Sequence, residues 1–236
     1  MSAQGGSALG GKQFDIITIF PEILSSYFNE SLFKRAQENK LLKINTHNLR
    51  KWTTDRHQTV DDKPYGGGVG LLFKIEPVYK ALRAIKKKPA QGGCASGAKT
   101  RVILTAANGK LFTQKDAKRL SKYDQLIFVC PRYEGIDARV EKLVDEKISI
   151  GEYVLAGGEL PTAVIIEAVS RYISGFVGKQ ESVDNDSFSD GNNLEHPHYT
   201  RPEVFETKEG KKLRVPKVLL SGHHEEIKKW RTNKSK

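Results

Sequence analysis

Three short segments hold the residue types best suited to chemistry. They are Asp61-Asp62-Lys63-Pro64-Tyr65-Gly66-Gly67-Gly68, Pro131-Arg132-Tyr133-Glu134-Gly135-Ile136-Asp137, and the stretch from Ser149 through Gly151, Glu152, Tyr153, Gly157 and Gly158 to Leu160. Each is polar or glycine-rich and is expected directly after a buried strand, where open α/β sheets bind their ligands. Glycine lets a backbone approach a ligand closely, and the same glycines also make tight turns, so each segment taken alone reads either way. None is a phosphate cradle: no GxxxxGK[ST] occurs, and no GxGxxG follows a strand and opens a helix. An ordinary ATP or dinucleotide site is therefore excluded. His196, His198, His223 and His224 have no cysteine pair or HExxH beside them, so no metal site is expected. Cys94 and Cys130 form neither a disulfide framework nor a metal spacing.

The elements around these segments follow from periodicity. Phe14–Phe20 is β-branched and aromatic and ends at Pro21, which predicts a buried strand and then a helix. Glu22–Asn39 has helical spacing, with Leu24, Phe28, Leu32 and Ala36 on one side. Leu42–Leu49 reads as a second strand, Pro77–Lys88 as a helix and Pro89–Lys99 as a mobile surface loop. Val102–Thr105 reads as a short strand, Thr113 as the N-cap of a helix burying Ala117 and Leu120, and Gln125–Cys130 as an apolar strand. Pro161–Tyr172 predicts a buried helix with Pro at its first position. Strands alternating with helices predict an α/β domain with a largely parallel sheet.

The bulk numbers fit a soluble chain with a nucleic-acid partner. The 236 residues are 38% hydrophobic and 28% charged, ordinary for a globular protein. No apolar run approaches the roughly 20 residues of a membrane span, and no membrane partner is expected. A Gly- and Ser-rich leader (1–12) is expected to be disordered and is not a signal peptide. Cysteine usage points to a reducing cytoplasm. The net charge is +11, and Lys208–Lys236 carries ten Lys/Arg against three Glu, so this tail supplies +7 of it. Such a surface attracts phosphate backbones. A basic tail of this kind is also compatible with a merely solvated surface. Trp230, among Lys228, Lys229 and Arg231, reads equally as a base-stacking platform and as a helix anchor.

Taken in order, ten motifs point further. They are Phe20-Pro21-Glu22, Asp55-Arg56-His57, Val60-Asp61-Asp62 with Pro64-Tyr65-Gly66-Gly67-Gly68, Arg132-Tyr133-Glu134-Gly135-Ile136-Asp137, Ser149-Ile150-Gly151, Tyr153-Val154-Leu155, Gly157-Gly158-Glu159-Leu160-Pro161, Asp186-Ser187-Phe188, Pro197-His198-Tyr199-Thr200-Arg201-Pro202 and Val218-Leu219-Leu220-Ser221-Gly222. This series closely resembles the bacterial tRNA (guanine-N1)-methyltransferases of the SPOUT superfamily, from about Phe14 to Arg231.

The resemblance implies an α/β fold of the SPOUT type with a deep trefoil knot and a small, mainly helical C-terminal domain. It implies S-adenosylmethionine as methyl donor, an obligate homodimer, and tRNA as substrate, methylated on guanosine 37 where guanosine 36 precedes it. Family members use Mg²⁺, which the resemblance adds as a cofactor. Carried over by position, the cofactor residues are Pro131, Glu134, Ile150, Gly151, Glu152, Tyr153, Val154, Leu155 and Gly158. The general base falls on Asp186 and the catalytic arginine on Arg171. Read without the resemblance, and with three other acids nearby, Asp186 is more readily a helix N-cap, and Arg171 reads as a helix C-terminal complement. The expected domains are 13–177 for the methyltransferase, 178–193 for a linker and 194–236 for a basic tRNA-binding domain.

The chain departs from the family pattern in places. Ala106-Ala107-Asn108-Gly109 replaces Ser-Pro-Gln-Gly, Val69-Gly70-Leu71 replaces Pro-Gly-Met, and His223 replaces Asn. Pro131 stands where the family has Gly and lacks the N–H a glycine would offer the cofactor. The tail after Trp230 is short for the family, which implies a smaller C-terminal domain. Two rival readings remain open: a knotted methyltransferase acting on another RNA, and an RNA-binding protein that no longer takes up the cofactor.

Overall fold

The computed structural model describes residues 11–86, 98–178, 187–188 and 194–235. The expected leader therefore falls outside the described residues up to residue 10, as do the segment 87–97 and most of the linker, Asp186 included. The chain divides into two compact units, 1–180 and 181–236.

The first unit is built on a five-stranded sheet in the order β2-β1-β6-β5-β7. Its strands are β1 (Lys12–Thr18), β2 (Leu42–Asn48), β5 (Thr100–Leu111), β6 (Gln125–Val129) and β7 (Glu146–Ser149). Every neighbouring pair is parallel. All of β1 and β6 is buried, as apolar strands covered on both faces by helices must be. Against the expectation from Phe14, the sheet takes in Lys12, whose ammonium donates to Leu120 O (3.0 Å), Ser121 O (3.2 Å) and Tyr123 O. Burial pushes its pKa down to about 8, with Asp124 opposing.

Helices α3 (Ile75–Lys86), α4 (Gln114–Leu120) and α5 (Glu159–Ser170) cover the sheet. A two-residue ladder, β3 (Asp61–Asp62) with β4 (Leu72–Phe73), closes the glycine-rich loop between them. The expected helix Glu22–Asn39 is instead a 3-10 turn (Pro21–Leu24), α1 (Ser25–Phe28) and α2 (Ser31–Glu38). The break at Asn29-Glu30 lets Phe28 and Phe33 meet edge to face at 5.0 Å, with Phe176 at 5.1 Å from Phe33. That aromatic burial outweighs the turns of helix forgone. At α4 the expected N-cap holds: the Asp116 carboxylate accepts from the Thr113 N–H (3.2 Å) and hydroxyl (2.8 Å).

Within β1 the Asp15 carboxylate is buried. It accepts from Gln13 (2.7 Å), Gln125 (2.8 Å) and Asn45 (3.1 Å), and its Oδ1 lies 2.7 Å from His47 Nε2. Burial alone would raise its pKa, and the hydrogen bonds from His47, Gln125 and Gln13 outweigh that and lower it.

The second unit holds a hairpin as well as helices. An antiparallel hairpin, β8 (Val204–Glu206) with β9 (Lys212–Arg214), turns at Gly210 (φ 80°) and precedes α6 (Lys217–Leu220) and α7 (His224–Lys234). The short exposed strands gave no alternating pattern for the sequence reading to detect. Among the described residues no helix is long and apolar enough to cross a membrane.

Candidate functional site

A cavity of about 380 Å³ opens at the carboxyl ends of β5, β6 and β7. Its first wall is part of β5 itself. That strand pairs with Ile148 twice, through Thr105 and again through Lys110, so Ala106–Gly109 bulges out between the two contacts. Gly109 makes the bulge possible, because a Cβ there would sit 2.7 Å from the Ile148 backbone. The sequence reading ended this strand at Thr105, since small and polar residues follow it. The structure carries the strand on to Leu111 and turns the Ala106-Ala107-Asn108 segment over the cavity.

The second and third walls are the loops after β6 and β7. Pro131, Glu134, Ile150, Gly151, Tyr153, Val154, Leu155 and Gly158 all line the cavity. Of the nine residues assigned to the cofactor from sequence, only Glu152 lies off its lining. Pro131 meets the other loop through its carbonyl, which accepts from Gly158 N–H at 2.9 Å. Among the described residues, the N–H groups of Val154, Leu155 and Ala156 donate to no protein acceptor. The loop therefore presents free backbone donors to a polar ligand. Cys130, directly after β6, is fully buried, stays a neutral thiol for that reason and contacts Thr162 Oγ1 at 3.2 Å.

Helix α5 starts two residues before the expected Pro161, with Gly158 as N-cap and Pro161 in the first turn, where a missing N–H costs no helical bond. Gly158 has an ordinary right-handed backbone (φ −81°), so it is needed for space. A Cβ there would lie 2.2 Å from Thr105 Oγ1, 2.7 Å from Cys130 Cα and 3.0 Å from Pro131 Cδ. Gly158→Ala is expected to cost about 1–3 kcal/mol by overpacking, measured by urea unfolding. Unchanged stability would mean that the two loops separate freely.

Glu159 and Arg132 were not singled out from sequence, although both lie inside quoted motifs. Glu159 is only 1% exposed, and its carboxylate accepts from Thr18 Oγ1 at 2.6 Å and from Arg132 Nε at 3.0 Å. The Arg132 guanidinium also stacks over the Phe20 ring, 4.9 Å from its centroid. This cluster fastens the end of β1, the loop after β6 and the start of α5 to one another. An acid at the first position of α5 also complements the helix dipole.

The two residues assigned to catalysis are placed differently. Arg171 caps the far end of α5, its N–H donating to Glu167 O at 3.2 Å, and does not line the cavity. Asp186 lies outside the described residues. Among the described residues, no group of three or more His, Cys, Asp or Glu stands together to hold a metal.

Comparison with known proteins gives the family. A tRNA (guanine-N(1)-)-methyltransferase of Dictyoglomus turgidum is 46% identical over 219 residues, covering 93% of this chain and 83% of the relative. Those of Desulforamulus reducens and Chloroflexus aggregans are 47% and 48% identical over 224 and 220 residues, covering 94% and 93% of this chain and 84% and 81% of theirs. Residues 12–236 match the family described as tRNA (Guanine-1)-methyltransferase TrmD. The chain belongs to that tRNA (guanine-1)-methyltransferase family.

Proposed function

We propose that this chain transfers a methyl group from S-adenosylmethionine to N1 of guanosine 37 in tRNAs with guanosine at position 36. The observation that carries this reading is the cavity at the strand ends, on which eight of the nine cofactor residues converge. Free backbone donors at Val154 and Leu155 fit a ligand bound through main chain. The cofactor supplies a methyl on a sulfonium that needs no further activation, so in-line placement of guanine N1 contributes much of the rate. Asp186 takes the N1 proton, and Arg171 stabilises the negative charge that develops toward guanine O6.

The test is transfer of labelled methyl to a transcript with guanosine at 36 and 37, beside one with guanosine 37 replaced. Incorporation into the first alone is the expected result. Cofactor binding with no incorporation into either would redirect the reading to another RNA, and no cofactor binding would favour a pure RNA-binding module.

Arg171 makes the homodimer part of this reading. At 1.5 Å per residue it lies about 18 Å along α5 from Glu159, at the end remote from the cavity. A second copy is what brings an Arg171 to each cavity. Support for that copy is an apolar stripe on α5, where Leu160 is 61% and Val164 48% exposed. Tyr27 hydrogen-bonds Glu167 on the same stripe, with exposed Ile23 in the preceding turn. Contiguous exposed apolar surface of this kind marks an interface. Val164→Asp is expected to yield monomers in light scattering and to abolish methyl transfer, whereas an intact dimer would place the interface elsewhere.

The trefoil knot, which the resemblance implies, belongs to the same reading. The basic second unit serves as the tRNA grip and the cytoplasm as the compartment. No described donor set fits Mg²⁺, and no step is assigned to it.

A further inference from the structure

The second unit contains a cavity of its own, of about 420 Å³, lined among others by His196, Tyr199, Arg201, Leu219, Trp230 and Arg231. Its size falls within the roughly 300–1,000 Å³ of small-ligand pockets. The Tyr199 and Trp230 rings lie 6.2 Å apart, and His196 lies 6.2 Å from Trp230. They offer a faceted aromatic wall rather than a parallel sandwich, so a planar guest lies on it from one side. Tyr199 is exposed and Trp230 half-buried. Arg201 and Arg231 are exposed, leaving their guanidinium groups open to phosphate. His196 Nδ1 is buried with no hydrogen-bond partner among the described residues, a vacancy that native structures rarely leave unexplained.

A Trp that merely anchored a small core would be enclosed by apolar neighbours. Here no residue of α6 or α7 is buried, and the apolar floor at Leu219 stays open to the cavity. Aromatic faces and flanking arginines are what an unstacked nucleobase with its phosphates requires. From this geometry we infer that the cavity holds one unpaired nucleobase of the bound RNA, stacked on Tyr199 and Trp230. Arg201 and Arg231 take the adjoining phosphates. The inference deepens the tRNA reading and rests on it.

The test uses the full chain and tRNA transcripts carrying 2-aminopurine, whose emission changes on stacking, at one unpaired position at a time outside guanosine 37. One position is expected to respond on binding to the wild-type protein. Its response is lost in Tyr199→Ala and retained in Tyr199→Phe, and the alanine variant binds the transcript about 5- to 150-fold more weakly. If no unpaired position responds with the wild-type protein, or the response survives Tyr199→Ala, the inference is overturned and the cavity is packing space. Methyl transfer to the same transcripts is scored in parallel. Its absence would sink the tRNA methylation reading, whereas methyl transfer without any stacking response would sink only the nucleobase site.

Discussion

In the Asp186→Ala protein, methyl transfer to guanosine 37 falls by about 10²–10⁴-fold, while S-adenosylmethionine binding is retained. Guanine N1 is protonated at neutral pH, and its lone pair becomes available only as that proton leaves. In the proposed reaction the new bond joins N1 to the methyl carbon, the carbon–sulfur bond breaks with its electrons going to sulfur, and the N1 proton is assigned to the Asp186 carboxylate. Without that carboxylate the proton must go to water, so the residual rate of Asp186→Ala should climb more steeply with pH than the wild-type rate. Asp184 and Asp190 are close in sequence and carry the same side chain. Each is expected to keep most of its activity as the alanine variant, because the assignment falls on the acid of the Asp-Ser-Phe motif. Parallel assays of the three variants decide the matter. Activity surviving Asp186→Ala, with loss in Asp184→Ala or Asp190→Ala instead, would move the base to that neighbour.

The parallel core was legible because its strands are plain apolar runs. Phe14–Ile19 and Gln125–Cys130 lack the alternation that a half-exposed sheet would show, and both are buried. A strand was expected before Ser149, but β7 could not be delimited, since Glu146-Lys147-Ile148-Ser149 is short and half polar. Its Glu146 is held by Arg101 at 2.9 Å and Arg119 at 2.8 Å, partners remote in sequence. The β5 bulge escaped for a similar reason. A strand that leaves its ladder for four residues and returns has no one-dimensional signature, and Gly109 explains itself only once Ile148 stands against it.

The cofactor loops were legible as loops because glycine and polar residues interrupt apolar runs. That they meet at one cavity follows from the strand order, with β5 lying between β6 and β7, which no local pattern encodes. Tertiary pairing also hid the role of Glu159. At the start of a helix a glutamate reads as a dipole complement, and its partners Thr18 and Arg132 are 141 and 27 residues away.

That pairing gives the second large effect. Glu159→Ala is expected to destabilise the protein by about 3–5 kcal/mol, because it leaves the Arg132 guanidinium without its carboxylate in a largely buried place. Arg132 has little freedom to escape toward water, its side chain being only 19% exposed and stacked on Phe20. Arg132→Ala is costly for the mirror-image reason, since Glu159 would keep only the Thr18 hydroxyl. Glu159→Gln keeps the shape, removes the charge and turns one of the two acceptor oxygens into a donor facing Thr18 or Arg132, so it should fall between wild type and Glu159→Ala. The decisive comparison is the double variant Arg132→Met/Glu159→Leu. If the pair acts as one buried unit, urea unfolding of the double variant will show far less destabilisation than the sum of Arg132→Ala and Glu159→Ala, and two large apolar side chains fill much of the vacated space. Cofactor binding should not recover with stability, because Met and Leu restore volume but not the hydrogen bonds that fix the loop after β6 against α5. Additive losses would mean that the two side chains are held independently. Recovery of both stability and binding would mean that the cavity needs only packing at this point, and the ion pair would lose its place in the site.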